Sequence, residues 1–215
     1  MRAKLAIFAG LLPAMLSVAG CVSIGNGQLP RTGDRSAHFA SGGNLEISLP
    51  VGSVHVEIAE GNWLRLHYHI RKHHFAFWGW SPAESRARLR FEAEGQNAVI
   101  SFHYPPGTSN AGQIDVIVDV PAQTNLHVKT GVGEIRIAGG IAGDKYVNTG
   151  VGDIRVALGP NPDYRRVQIS TGVGSIIGGP WGQGQGFVAK ALDAHPGGRF
   201  RLRLHAGVGS IHLQS

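Results

Sequence analysis

Cysteine is almost absent from this 215-residue chain: Cys21 is the only one, so no disulfide can close within it. Acidic residues are scarce too, 14 against 20 lysines and arginines. That scarcity argues against oxygen-rich cation sites and against a carboxylate pair for glycosidic chemistry, both of which need several well-placed acids. No Gly-x-Ser-x-Gly nucleophile elbow and no Gly-Lys-Ser/Thr phosphate loop occurs, and the chain therefore reads as having no catalytic residues and no cofactor. Long hydrophobic runs are missing except at the very start. Glycine, by contrast, is abundant at 32 residues, without matching serine or proline, which points to many tight turns rather than low complexity.

The start of the chain is an export signal. "MRAK" is a basic segment, "LAIFAGLLPAMLSVAG" an apolar one ending in small residues, and Cys21 follows at once. The tetrapeptide "VAGC" resembles the bacterial lipobox, in which the cysteine is acylated and becomes the first mature residue. The resemblance implies a signal peptide at 1–20 and a lipid anchor on Cys21, so the expected partner is a lipid bilayer, on the periplasmic side of the outer membrane. Each buried acyl CH₂ contributes about 0.8 kcal/mol, so several chains hold a protein on a membrane without a spanning helix. Nucleic acid is not an expected partner at that address. Residues 21–40, polar and without period, read as a flexible tether, and 41–215 as one domain. "LPRTG" at Leu29–Gly33 matches a sortase signal, but neither a hydrophobic segment nor a basic tail follows it there.

The domain is dominated by period-two alternation: "NLEISLPVGSVHVEI", "WLRLHYHI", "NAVISFHY", "QIDVIVDV" and "RFRLRLH" read as half-buried strands. The one helical signal is "SPAESRA", with Ser81 as N-cap, Pro82 in the first turn and Glu84 closing a capping box. Within this pattern one unit recurs. "TGVGEIRI", "TGVGDIRV", "TGVGSII" and "AGVGSIHL" begin at Thr130, Thr149, Thr171 and Ala206, 19, 22 and 35 residues apart. A phosphate cradle would need a helix after the glycines, and every copy is followed by a strand pattern. Each copy therefore reads as strand, corner, strand, with Gly131 and Gly133, Gly150 and Gly152, Gly172 and Gly174, and Gly207 and Gly209 as structural corners. The bend is expected to let Val132 reach the core beside Ile135. The first two spacings suit one coil of a solenoid each, and "GGPWGQGQG" looks like an insertion in the third.

From about Gly42 to Ser215 the chain resembles the bacterial putative-adhesin family of unknown function, related to toast-rack envelope domains. The carrying stretch is "VDVPAQTNLHVKTGVGEIRIAGGIAGDKYVNTGVGDIRV". The resemblance implies an all-β, single-domain, right-handed β-solenoid-like stack of short strands on the cell envelope. It implies no enzyme, but a binding, adhesion-like or structural and stress-response role, with an envelope polymer or protein as partner.

Two further clusters stand out. "HYHIRKHH" places His67 and His69 on one strand face with His73 and His74 after it, and His103 on a strand expected to be a neighbour would complete a zinc or copper site. That is the alternative function, a periplasmic metal-binding protein, against which stands a plain solvated strand face. "FAFWGW", Phe75–Trp80, is either a core plug or an exposed aromatic patch. Arg199, Arg201 and Arg203, like Arg88 and Arg90, alternate with apolar residues as basic stripes; they suit phosphates of headgroups or envelope polymers, or a solvated face with Glu92 and Glu94 as partners.

Overall fold

The computed structural model describes residues 29–71, 87–104, 112–186 and 188–214. Cys21, His73, His74, the aromatic run at 75–80 and the helix expected from Ser81 lie outside the described residues. The described chain is all-β. Its strands are β1 (Thr32–His38), β2 (Gly43–Val51), β3 (Val54–Ile58), β4 (Trp63–Arg71), β5 (Arg88–Glu94), β6 (Asn97–His103), β7 (Gln113–Val120), β8 (Thr124–Val132), β9 (Ile135–Ile137), β10 (Lys145–Val151), β11 (Ile154–Ala157), β12 (Tyr164–Val173), β13 (Ile176–Ile177), β14 (Lys190–Ala194), β15 (Phe200–Val208) and β16 (Ile211–Gln214). They form two open sheets of eight. The first has the order β1-β4-β7-β3-β9-β11-β16-β13, the second β14-β12-β15-β10-β8-β2-β6-β5. Both are parallel in the middle. Antiparallel strands close one end of the first sheet and both ends of the second.

Alternation places one face of every strand in a single core between the sheets. Ile47, Val128, Val147, Leu204 and Ile169 share one register row on the second sheet, and Val54, Ile135, Ile154, Ile211 and Ile176 share one on the first. Such rows are mostly β-branched, which suits a half-buried pleated surface. The two sheets are joined by corners. β2 turns into β3, β8 into β9, β10 into β11, β12 into β13 and β15 into β16, so each unit has one arm in each sheet.

The two glycines of each corner play different parts. Only the second glycine of each copy has a positive φ, between +141° and +150° at Gly133, Gly152, Gly174 and Gly209. The first glycine is an in-strand residue, kept small because a Cβ on Gly131 would lie 2.4 Å from the Pro50 carbonyl oxygen and one on Gly150 2.6 Å from that of Gly131. The valine between them does not reach the core. Val132, Val151, Val173 and Val208 are 47–55% exposed, because the chain ends its run along one sheet there and the valine stands at the outer edge of the bend. The threonines before the corners are the buried residues instead: Thr149 and Thr171 each donate a hydrogen bond to the carbonyl of a corner glycine, Gly133 and Gly209. A fifth corner, Pro50-Val51-Gly52-Ser53, aligns with the other four, with Gly52 at φ +143°.

Backbone pairing runs through the bends without a break. Gly52 N donates to Val132 O, Gly133 N to Val151 O, Gly152 N to Val208 O and Gly209 N to Val173 O, each at 2.8 Å. The units therefore stack corner on corner, but not in chain order. The unit from β15 and β16 lies between the second and third copies, leaving β12 and β13 toward the end of the stack with β14 folded antiparallel on β12. A solenoid advances one coil at a time, and here the last coil is inserted behind its predecessor. The expected insertion at 178–186 carries a 3-10 turn at Gly179–Trp181.

The stretch expected to be a tether is also partly ordered. Thr32–His38 is an edge strand on β4, and Leu29 and Phe39 on its flanks are buried. Its own residues alternate between exposed and half-buried. Gly33 leaves room for the Tyr68 ring, whose hydroxyl would lie 2.5 Å from a Cβ at that position.

Candidate functional site

The outward face of the second sheet carries a concavity of about 650 Å³, a size typical of small-ligand sites. Its residues come from strands far apart in sequence, brought side by side by the parallel register. One row across the sheet reads Val99, Glu46, His127, Tyr146, Arg203, Gln168. The adjoining row is a polar relay: Asn44 donates to Asn97 at 3.1 Å, Asn125 to Asn44 at 3.1 Å, the Asp144 amide to the Asn125 side-chain oxygen at 2.9 Å and the Arg201 amide to Asp144 Oδ1 at 2.8 Å. Asn97, Asn44 and Asn125 stand at the openings of β6, β2 and β8, and each relay bond crosses one strand boundary. The relay fixes the register and forms one wall of the cavity.

In the middle of the floor Tyr146 and His127 meet edge to face, ring centroids 4.6 Å apart at 85°. Burial is the main force holding the His127 pKa below its ordinary value; the Lys129 ammonium adds to it and Glu46 opposes it. The ring is therefore neutral near pH 7. Its Nε2 is buried with no hydrogen-bond partner among the described residues.

One end of the cavity is basic. Arg166 forms a fork with Asp193, at 2.9 and 3.3 Å, and this bond is the main cause holding the Asp193 carboxyl below its ordinary pKa. Arg203 donates to the neutral Gln168 Oε1 at 2.9 and 3.3 Å, and the Arg201 guanidinium has no carboxylate partner among the described residues. Two of the three arginines of the alternating stripe thus face the cavity, while Arg199 is tied to Asp163 at the sheet end. On β5, Arg90 pairs with Glu92 as a solvated face would.

The histidines fall elsewhere. His67 and His69 stand on the outward face of the first sheet, and His103 is on β6 in the second, where its register partner is Arg88. The strand of His103 is not a neighbour of β4, so the expected third ligand is not brought to the pair. His67 Nδ1 instead faces Asp34 Oδ1 at 2.5 Å. No group of three His, Cys, Asp or Glu side chains able to hold a metal is found among the described residues.

No family model matches the chain, and no curated protein matches it. Among solved structures it is similar to a putative cell adhesion protein from Clostridium sporogenes, at 14% identity over 85% of this chain and 99% of that one, with a TM-score of 0.50. The two share a fold. A putative adhesin from Bacteroides fragilis aligns with 86% of the chain and 98% of its own at 7% identity and a TM-score of 0.26. A putative adhesin from Parabacteroides distasonis aligns with 59% and 56% at 6% and 0.25.

The sequence did not mark His127, Tyr146 or the asparagines as a site. A signal existed in "NLEI", "NAVI" and "NLHV", three strand openings with asparagine at the same place. Aligning the units on their Gly corners would have put Asn44 and Asn125 in one row.

Proposed function

We propose that the protein is a lipid-anchored component of the bacterial envelope, of the putative-adhesin type, that acts by binding through the outer face of its second sheet and carries out no chemistry. The observation that carries this reading is the row Glu46–His127–Tyr146–Arg203: a carboxylate, an imidazole, an aromatic ring and a guanidinium aligned in one concavity. These are groups that recognise, and they sit on a rigid parallel sheet rather than on loops, which keeps the ordering cost of binding low. The fold shared with a chain named a putative cell adhesion protein supports the same role.

The anchor limits reach. Seven residues, and so eight Cα–Cα steps, separate Cys21 from the buried Leu29, so an acylated Cys21 keeps the domain within about 28 Å of the membrane at full extension. Cys21→Ser is expected to move the protein from the membrane to the soluble fraction and to stop incorporation of a fatty-acid probe; wild-type protein that takes up no probe would end the anchored reading. The binding role is checked with this soluble variant and isolated envelope material. Saturable co-sedimentation is expected, with Tyr146→Ala weakening it about tenfold, the size of one lost aromatic anchor. Equal sedimentation of both proteins would remove the cavity from the function.

A further inference from the structure

We infer that the ligand of this cavity is an acidic saccharide, a sugar ring lying on Tyr146 with its carboxylate or phosphate between Arg201 and Arg203 and its hydroxyl groups toward His127, Glu46 and the asparagine relay. The inference rests on the reading of the cavity as the binding surface, and it follows from how charge is distributed there.

Arg201 and Arg203 are two residues apart on one strand and face the same way, so their Cα atoms are about 7 Å apart. Neither has a carboxylate partner, although every other arginine bonded in the sheet's basic end, Arg166 and Arg199, has one. Two like charges left together on a strand face repel one another, and an anion with two or three oxygens relieves this while using the fork geometry of both guanidinium groups. The other end of the row is opposite in character. Glu46 repels further negative charge there and accepts hydroxyl hydrogens, and the amides of Asn44 and Asn97 offer both donors and acceptors, while Asp144, whose Oδ1 accepts the Arg201 amide, bounds the basic part on that side.

A uniformly charged polyanion therefore fits poorly, because only part of the cavity is basic. A lipid with its acyl chains fits poorly as well, since among the outward-facing side chains of the two rows only Val99 and the Tyr146 ring are apolar and the rest are charged or polar. What fits is a molecule with an anion at one place, an apolar ring face in the middle and many hydroxyls around it. Tyr146 is held by His127 as a fixed platform, the two rings meeting edge to face. The row crosses six strands, about 24 Å at the spacing of neighbouring strands, so the cavity accommodates more than one sugar ring.

The test is calorimetric titration of the full-length protein in detergent with alginate, polygalacturonate and hyaluronate as carboxylated polymers, a wall teichoic acid as a phosphate-bearing one, dextran as a neutral one and dextran sulfate as a dense charge without a carboxylate. At least one carboxylated or phosphate-bearing polymer is expected to bind. Arg201→Gln, Arg203→Gln and Tyr146→Ala should each weaken it at least tenfold, while Lys129→Gln, which removes an equal charge outside the cavity, leaves it within about twofold. Which polymer group binds decides between carboxylate and phosphate. Dextran binding as tightly as the acidic polymers would overturn the anion requirement, and dextran sulfate binding best and unaffected by Tyr146→Ala would overturn the saccharide. If none binds while envelope co-sedimentation still depends on Tyr146, the saccharide inference fails and the binding role stands; matching thermal unfolding of the variants assures that lost binding is not lost fold.

Discussion

Gly152→Ala should leave the protein largely unfolded at 37 °C. The added Cβ would sit 2.1 Å from the Gly133 carbonyl oxygen and 2.7 Å from its carbon, both backbone atoms of the unit stacked beneath. Moving them disturbs the bond that Gly133 O accepts from Thr149 Oγ1 and the adjoining pairing of Gly133 N with Val151 O, and residue 152 is also held at φ +141°. Overlap and strain together put the cost above about 4 kcal/mol, a large share of the 5–15 kcal/mol that holds a typical domain together. Two comparisons isolate the cause. Gly95 has φ +58° with open space around it, so Gly95→Ala pays for conformation alone, about 1–2 kcal/mol. Val151 is 48% exposed, and Val151→Ser should change stability by less than about 0.5 kcal/mol. Urea midpoints of the three variants give the order. A Gly152→Ala midpoint close to that of Gly95→Ala would mean that the stacked corners tolerate a side chain and that the account of them is wrong.

The same corner shows how far the sequence could be read. Repetition of Gly-Val-Gly before a strand pattern pointed to bends, and the bends are there. Which glycine turns was not legible, because φ is a property of the residue and the overlap is a property of its neighbour in the stack: Gly131 needs its small size on account of Pro50, some eighty residues earlier. Parity misled at Val132, since alternation assigns a residue to a face only while the strand continues, and at a bend the inward direction can leave the sandwich altogether. The corner at Gly52 is a fifth copy that the repeat conceals, since Pro50 stands where the other four units have glycine.

Order in the stack was beyond sequence reasoning for a different reason. The 35-residue gap before the last copy indicates extra chain, and extra chain can loop out or can cross over; β14 does the latter by pairing with β12 and sending β15 back between β10 and β12. That crossing puts Arg203 beside Tyr146 and so assembles the cavity. Had the last unit stacked after the third, the arginines would stand one strand farther from the aromatic ring. The basic stripe was visible in the sequence and its partners were not, because they depend on a register between strands separated by 57 residues, as in the bond from the Arg201 amide to Asp144.

Stability should rise with pH between about 8 and 10, against the usual trend, and Lys145 is the reason. It occupies a core-facing position in a row with Leu126 and Leu202 and is 2% exposed. Its ammonium group donates to the carbonyls of Ile141, at 2.5 Å, and Gly143, at 3.3 Å, and stands 5.1 Å from the centre of the Tyr164 ring. These acceptors are neutral, so burial outweighs the attraction of Asp144 and brings the pKa down to about 8. In the unfolded chain a lysine titrates near 10.4. Between these values the unfolded state holds the proton that the folded state has released, so unfolding takes up a proton and becomes harder as pH rises. The shift corresponds to about 3 kcal/mol in all, of which roughly 2 kcal/mol falls between pH 7.5 and 9.5. Above pH 10 the trend reverses: burial, with Asp144 adding to it, raises the Tyr164 phenol, so the unfolded chain ionises first and stability is lost. Urea unfolding at pH 7.5 and 9.5 should show the gain in the wild type and its disappearance in Lys145→Met. The absolute stability of that variant matters less, because methionine leaves the Ile141 and Gly143 carbonyls without their donor while removing a buried charge. The slope separates the two effects, and a wild-type stability that stays flat or falls across this window would mean that Lys145 keeps its charge in the core.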